Sequence, residues 1–302
     1  MTFKKITRAD KRIVESHLRH MPHQLCVYSF AQIAIWKSLY AIEWAHIEDT
    51  LCIFFKDKLG SFMNCEPLGK DISAGAIAAA FRVMDGCNKN RAYSRIENVE
   101  EARVEFYRSL GYEAIAKGGD YVYERARLAE LRGDSYKSKR AGCNFFKKTY
   151  DSRYIAYTSR YRQACLDLYD SWARGRMETT GDRVYAGMLR DSRACLEAAL
   201  YKSSELGLTG RMILIDGRVK AFTFGYELNN DTFCILYEIA DLEVKGISQY
   251  IFRQLCIEKE QYRYINAMDD SGLARLQSVK RSYRPTAMIP AYIIQRPHEQ
   301  GY

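Results

Sequence analysis

An order of elements that occurs twice constrains this 302-residue chain more than any other feature. Leu51–Phe55, a turn over Lys56–Gly60 and Ser61–Cys65 read as a β-hairpin that ends at Pro67-Leu68-Gly69. Arg211–Ile215, the turn Asp216-Gly217 and Val219–Tyr226 read as a second hairpin with a tighter turn. Helical periodicity follows each one, over Ala74–Cys87 and Ile247–Glu258, after a glycine-containing turn. Short strands come next at Ala92–Glu97 and Tyr262–Asn266, then amphipathic helices at Val99–Leu110 and Ser271–Arg281. Gly111-Tyr112 then matches Ser282-Tyr283, and Tyr121–Tyr123 matches Ala291–Ile293. From helix to final strand the two series stay about 170 to 172 residues apart, Tyr112 to Tyr283 being 283 − 112 = 171. An offset held over five elements implies an internal duplication, with halves at 1–150 and 151–302.

Each half orders its elements as helices, hairpin, helix, strand, helix, strand, which builds a mixed sheet flanked by helices. The expected class is α/β (α+β), and the order resembles the GNAT-type acyltransferase fold used in tandem. The five prolines, at 22, 67, 285, 290 and 297, leave Leu68 to Arg284 without a forced break or a Gly/Ser/Pro-rich linker. The longest mostly apolar stretches, Leu25–Trp36 and Ala74–Phe81, fall short of the roughly 18 residues that span a bilayer, and no charged-apolar-small leader opens the chain. A soluble, unexported, cytoplasmic protein is expected. Nine scattered cysteines without a C-x-x-C pair fit buried thiols in a reducing compartment. His17, His20 and His23 recur every third residue, but Pro22 interrupts their helix, so no metal site is expected.

Charge is concentrated between the halves. The chain carries +9 overall, and Arg132–Arg162 holds nine basic residues against Asp134 and Asp151. Tyr136, Phe145, Phe146, Tyr150, Tyr154, Tyr157 and Tyr161 are interleaved with them. A polyanion with exposed bases would find charge and stacking surfaces here. The alternative is a solvated helix whose aromatics face the core. At the start of the second-half helix, Asp241-Leu242-Glu243-Val244-Lys245-Gly246-Ile247-Ser248 offers free backbone N–H groups to an anion. A GNAT enzyme using acetyl-CoA would carry Arg or Gln, two residues, Gly, one residue, then Gly or Ala. Glu243, Gly246 and Ser248 stand there instead, with Lys245 partly offsetting the acid. Asn266-Ala267-Met268-Asp269-Asp270-Ser271-Gly272 puts an amide and two carboxylates at the carboxyl end of a strand, where α/β sheets bind ligands. Asp270 would serve there as a site carboxylate or as the N-cap of a helix from Ser271. Glu238 and Asp241 end the preceding strand near the same edge, and Lys280 and Tyr283 follow as ligand contacts or packing residues. A carboxylate beside an incoming amine would act as general base. The motifs of P-loop hydrolases, dinucleotide enzymes, lipase-type hydrolases and zincin proteases do not occur.

Several segments resemble the phosphatidylglycerol lysyltransferase carboxyl-terminal domain family. They are Ser29-Phe30-Ala31-Gln32-Ile33-Ala34-Ile35-Trp36, Glu66-Pro67-Leu68-Gly69, Tyr121-Val122-Tyr123, Leu131 to Arg140, and Tyr264 to Pro285. The resemblance implies a tandem GNAT fold related to enzymes that move an aminoacyl group from tRNA onto a lipid or a peptidoglycan precursor. Departures fall within the implied site. Ala267-Met268-Asp269-Asp270-Ser271-Gly272 replaces Arg-Glu-Glu-Asp-Leu-Gly, Glu238-Ile239-Ala240-Asp241 replaces Glu-Lys-Ala-Asp, and Lys139-Arg140-Ala141 replaces Lys-Arg-Asn. Two functions are therefore expected. In the first, the chain is an acyl or aminoacyl transferase with Glu238, Asp241, Asn266 and Asp270 catalytic. Lys139, Arg140, Lys245, Gly246, Gly272, Lys280 and Tyr283 would bind the donor, an aminoacyl-tRNA or acyl-CoA co-substrate with no tightly bound cofactor. The acceptor would be a small-molecule or peptide amine or hydroxyl. In the second, a degenerate transferase fold binds RNA or an anionic ligand without turnover.

Overall fold

Alternation of apolar and polar residues makes Ala41–Ile47 a half-buried strand, whereas the unbroken apolar run Leu51–Phe55 forms a strand buried on both faces. The computed structural model describes residues 1–178 and 182–297, and the chain forms two compact units. Unit one comprises Met1–Asp120, Asp269–Gly272 and the stretch from Met288; unit two comprises Tyr121–Met268 and Leu273–Ala287. This partition differs from the halves 1–150 and 151–302, because residues 121–150 belong to unit two and the last strand to unit one.

Unit one begins with β1 (Lys4–Lys5), α1 (Lys11–Leu18), α2 (Phe30–Ile35), β2 (Ala41–Ile47), β3 (Thr50–Lys56) and β4 (Ser61–Phe62). It continues with α3 (Ala74–Cys87), β5 (Arg95–Glu100), α4 (Glu101–Ser109) and β6 (Glu113–Glu124), whose last four residues enter unit two. The main partner of β3 is β2, paired along its whole length from Ala41↔Lys56 to Ile47↔Thr50, while β4 adds only Phe55↔Phe62 and Lys56↔Ser61. Hence the first expected hairpin is mostly a β2–β3 hairpin, and its second strand is reduced to two residues. The apolar face of α3, Ala76, Ile77, Ala80, Phe81 and Met84, packs on Phe54, Ile96, Val99, Tyr107 and Ile294. Glu66, only 2% exposed, accepts from Arg103 Nε at 3.1 Å and Tyr107 Oη at 3.2 Å, so that part of the Glu66-Pro67-Leu68-Gly69 motif is an internal ion pair.

Unit two runs through α5 (Arg125–Glu130), α6 (Lys137–Thr149), β7 (Ser152–Ala156), α7 (Arg162–Met177), α8 (Arg183–Tyr201) and α9 (Ser203–Leu206). β8 (Thr209–Ile215), β9 (Arg218–Asn229), β10 (Thr232–Ala240), α10 (Ile247–Glu258), β11 (Tyr264–Asn266) and α11 (Ala274–Arg281) follow. The order across its sheet is β6-β11-β10-β9-β8-β7. Asp216 (φ 49°) and Gly217 (φ 74°) close the β8–β9 hairpin with both central residues left-handed, as a two-residue turn between right-twisted strands requires. The final strand, β12 (Ala287–Gln295), returns to unit one and pairs antiparallel with β5, Ala291↔Glu100 to Gln295↔Arg95. The β1–β4 sheet is antiparallel and the unit-two sheet is mixed through the parallel β10–β11 pair, and with their flanking helices they place the chain in the α/β (α+β) class. The helices Ala74–Cys87 and Ile247–Glu258 have their expected bounds, whereas β5 starts three residues later than expected and α11 starts at Ala274 rather than Ser271.

Candidate functional site

The pairing of β10 opens a place for chemistry in unit two. β10 runs parallel with β11 only from Thr232↔Tyr264 to Cys234↔Asn266, but stays paired with β9 as far as Ala240↔Ala221. Residues 235–240 therefore line an edge that β11 has left. A bulge between Ile235 and Tyr237 shifts the register there and sets Glu238 directly across from Thr223.

Glu238 is partly buried as a residue, yet its Oε2 is sealed from solvent and has no hydrogen-bond partner. Thr223 is fully buried, and its Oγ1 has no partner either. Directly opposed residues on antiparallel strands share a face, so the two orphaned atoms belong to one locale. Each costs about 1–3 kcal/mol of desolvation, a penalty that native interiors rarely carry without a functional reason. Burial raises the Glu238 pKa from the usual carboxylate range to about 8, and the nearby Lys280 charge offsets only part of that rise. Lys280 is itself anchored, donating to the carbonyls of Ala267 at 2.6 Å and Met268 at 3.1 Å, with its Nζ 5.6 Å from the Tyr121 ring. Burial followed by the field of Glu238 drives the Tyr283 phenol well above its ordinary pKa, so it is a neutral phenol here. The same two causes, in the same order, push up the Cys256 thiol on α10. Glu238, Lys280, Tyr283 and Cys256 therefore share one electrostatic environment.

The remaining expected site residues have other partners. Asp241 accepts from Lys220 at 2.7 Å and from the Glu243 N–H at 3.0 Å; burial works to raise its pKa, but these partners outweigh it and the net shift is downward. Such a carboxylate braces the β10–α10 turn and is a poor base. Asn266, fully buried, accepts from the Met268 N–H at 2.7 Å and holds that residue in its left-handed conformation (φ 61°). Asp270 accepts from the Gly272 N–H at 3.0 Å, and both residues belong to unit one. Since α11 starts after Leu273, Asp270 closes a turn and is not the helix N-cap. Lys139 donates to Ser282 Oγ at 2.7 Å and lies 4.2 Å from the centre of the Tyr283 ring, and Arg140 donates to the carbonyls of Leu131 and Gly133. Both basic residues hold the fold together locally. Thr223 was not anticipated from the sequence; its signal was a hydroxyl between two phenylalanines, Phe222-Thr223-Phe224, in an otherwise apolar strand.

The two helix starts where a GNAT enzyme would hold a pyrophosphate differ in their surroundings. At α3, Ser73 caps Ala76 N–H at 2.9 Å and donates to the Glu48 carboxylate, and a Cβ on Gly75 would collide with that carboxylate. At α10, Gly246 (φ 86°) abuts α6 so closely that a Cβ would strike the Gly142 carbonyl oxygen. Lys245 lies 4.9 Å from the centre of the exposed Phe145 ring. The other aromatics of the basic segment mostly pack inward: Phe146 is fully buried against Tyr250 and Tyr150, while the Tyr136, Tyr154 and Tyr157 hydroxyls bond to Tyr283 O, Glu258 and Leu200 O. Exposed charge remains on α6 at Lys137, Lys147 and Lys148. Among the described residues no three His, Cys, Asp or Glu side chains group as metal ligands, and no helix is long and apolar enough to cross a membrane.

Comparison with known proteins gives these observations a context. The family model described as phosphatidylglycerol lysyltransferase, C-terminal, matches residues 18–295. An uncharacterized protein of Mycoplasmoides gallisepticum, MYCGA3080, is 25% identical over 182 residues, covering 58% of this chain and 56% of that protein. The chain thus spans little more than half the length of that curated relative. A conserved protein of unknown function from Bacteroides thetaiotaomicron superposes with a TM-score of 0.86 at 27% identity, covering 98% of this chain and 100% of the other. L-PGS from Bacillus licheniformis superposes with a TM-score of 0.66 at 14% identity, over 96% of this chain and 93% of that one. A tandem GNAT protein from the clavulanic acid biosynthesis pathway superposes with a TM-score of 0.52 at 10% identity, over 97% of each. The fold is therefore the tandem GNAT type.

Proposed function

The chain belongs to the phosphatidylglycerol lysyltransferase C-terminal family, and from that premise we propose that it transfers an activated acyl group, carried as an aminoacyl ester on tRNA, to a nucleophilic acceptor. The observation that carries this reading is Glu238, a carboxyl on the open stretch of β10 whose pKa lies near 8. A base with a pKa near the working pH combines a usable fraction of its ionised form with a strong pull on the proton of an attacking group. Lys280 and the phenol of Tyr283 supply the polar surroundings of that transfer.

The donor follows from what the helix starts exclude. Glu48 at α3 would repel a pyrophosphate, and at α10 Glu243 stands where the acetyl-CoA signature carries Arg or Gln, which favours a tRNA ester over acyl-CoA. Lys137, Lys147 and Lys148 supply exposed charge for tRNA phosphates. The test is to mix the protein with total charged tRNA at two salt concentrations and measure retention together with loss of the aminoacyl group when acceptors are added. Salt-sensitive retention with acceptor-dependent deacylation, abolished by Glu238→Gln, is the expected result. Retention without deacylation would leave an RNA-binding protein on a transferase fold, and no retention would remove tRNA as donor.

A further inference from the structure

A cavity of about 310 Å³ in unit two lies where the segment between β7 and α7 meets the junction of α8 and α9. Leu200, in its wall, belongs to the core in which α7 and α8 cover Phe222 and Phe224. Alternation along β9 turns Thr223, and Glu238 across from it, to the opposite face of the sheet. The cavity is therefore separate from the Glu238 locale.

Uncommitted donors dominate its wall. Thr158, Ser159, Ser203 and Ser204 contribute hydroxyls and Lys202 an ammonium, and none of these five side chains has a hydrogen bond or ion pair among the described residues. Other serines of the chain donate back to a carbonyl three residues earlier, as Ser16 does at 2.7 Å and Ser38 at 2.9 Å. For Ser203 that carbonyl belongs to Leu200, and the Tyr157 phenol donates to it instead at 3.1 Å. Glu205 is the one carboxylate of the wall among the described residues. Tyr201, 66% exposed, also lines the cavity, and the Arg162 guanidinium stands 4.2 Å from its ring centre. Donors thus outnumber acceptors, positive charge exceeds negative, and Tyr201 and Leu200 add carbon surface. A phosphate group matches that inventory, because it brings up to two negative charges and three acceptor oxygens, whereas a neutral polyol brings no charge.

We propose that this cavity binds a small-molecule phosphomonoester, with its phosphate on Lys202 and the four hydroxyls and its carbon body against Tyr201 and Leu200. The ligand is held there and no bond in it is made or broken.

The experiment titrates 15N-labelled protein with glycerol 3-phosphate, inorganic phosphate and glycerol, with sodium chloride holding the ionic strength constant. Amide shifts confined to residues 158–161 and 202–205 should saturate with both phosphates and be absent with glycerol. Glycerol 3-phosphate should bind about fourfold tighter than inorganic phosphate, the gain from burying one methylene. Lys202→Ala should weaken both phosphates about tenfold through the loss of a charge-assisted hydrogen bond. Ser203→Ala combined with Ser204→Ala should weaken them as well, whereas replacing another exposed lysine, Lys58→Ala in unit one, should change neither midpoint. Circular dichroism melts confirm that each variant is folded. Equal midpoints for the two phosphates would overturn the ester and leave a hole for a bare anion. No shifts with either phosphate, shifts scattered over the basic surface, or midpoints indifferent to Lys202→Ala would overturn the site. The transferase reading is tested separately by the charged-tRNA assay and stands or falls without this cavity.

Discussion

At the residue scale, Glu238 was legible from its position at the end of a strand, but its role became plain only from the carboxyl's surroundings. Its pKa of about 8 in the fold exceeds the 4.5 of an ordinary glutamate, so the folded state holds the proton more tightly. The stability linked to that proton is fully present below about pH 4.5 and is lost as the pH rises through 8. Glu238→Gln should therefore melt several degrees above the wild type at pH 9 and show little difference at pH 4, by calorimetry. The acid limb of the wild-type kcat/KM profile should have its midpoint near pH 8. Asp241, Asp270, Lys139 and Arg140 teach the opposite lesson. Sequence shows that a charge is present, but not which group of the folded chain it meets, as with the Ser282 hydroxyl that receives Lys139. Lys139→Ala should cost about 1–2 kcal/mol in chemical denaturation, from one hydrogen bond and one cation–π contact. Lys147→Ala with Lys148→Ala should leave stability unchanged and reduce the salt slope of tRNA binding by about one to two units.

At the element scale, helical periodicity gives α3 and α10 their observed bounds but does not single out α7 or α8. Strands were read less well, because period-two patterns of a few residues do not specify a partner. The Leu51–Phe55 run is unmistakably a strand, yet its pairing with Ala41–Ile47 depends on a tight turn at Glu48-Asp49 with Glu48 left-handed (φ 51°). In sequence the basic helix α6 is charge with interleaved aromatics, and three-dimensional packing separates the two. Cys143 and Phe146 turn inward while the lysines stay in water. Its approach to α10 depends on glycine at Gly246. Gly246→Ala should destabilise the fold by about 2 kcal/mol or more, measured by urea unfolding, because a side chain there meets both the left-handed backbone penalty and the Gly142 carbonyl.

At the scale of the whole molecule, β12 completes unit one although it is the last strand of the chain, and its Ile294 is fully buried beside Ile96 and Val99. Ile294→Asp should destabilise unit one by more than about 4 kcal/mol. Hydrogen exchange should then accelerate at Arg95–Glu100 while the β8–β9 amides stay protected. Sequence alone determined that the chain is α/β, that its elements recur about 171 residues apart, that helices form at α3 and α10, and which family its segments resemble. Those properties are written in local periodicity and in the order of elements, both of which survive without knowledge of contacts. Only the tertiary structure decided that the last strand closes the first unit, that Gly246 packs against the Gly142 carbonyl, and that Glu238 faces Thr223 with neither side-chain oxygen satisfied. Each of these depends on which residues meet across long stretches of chain, and desolvation and steric exclusion act only once they have met.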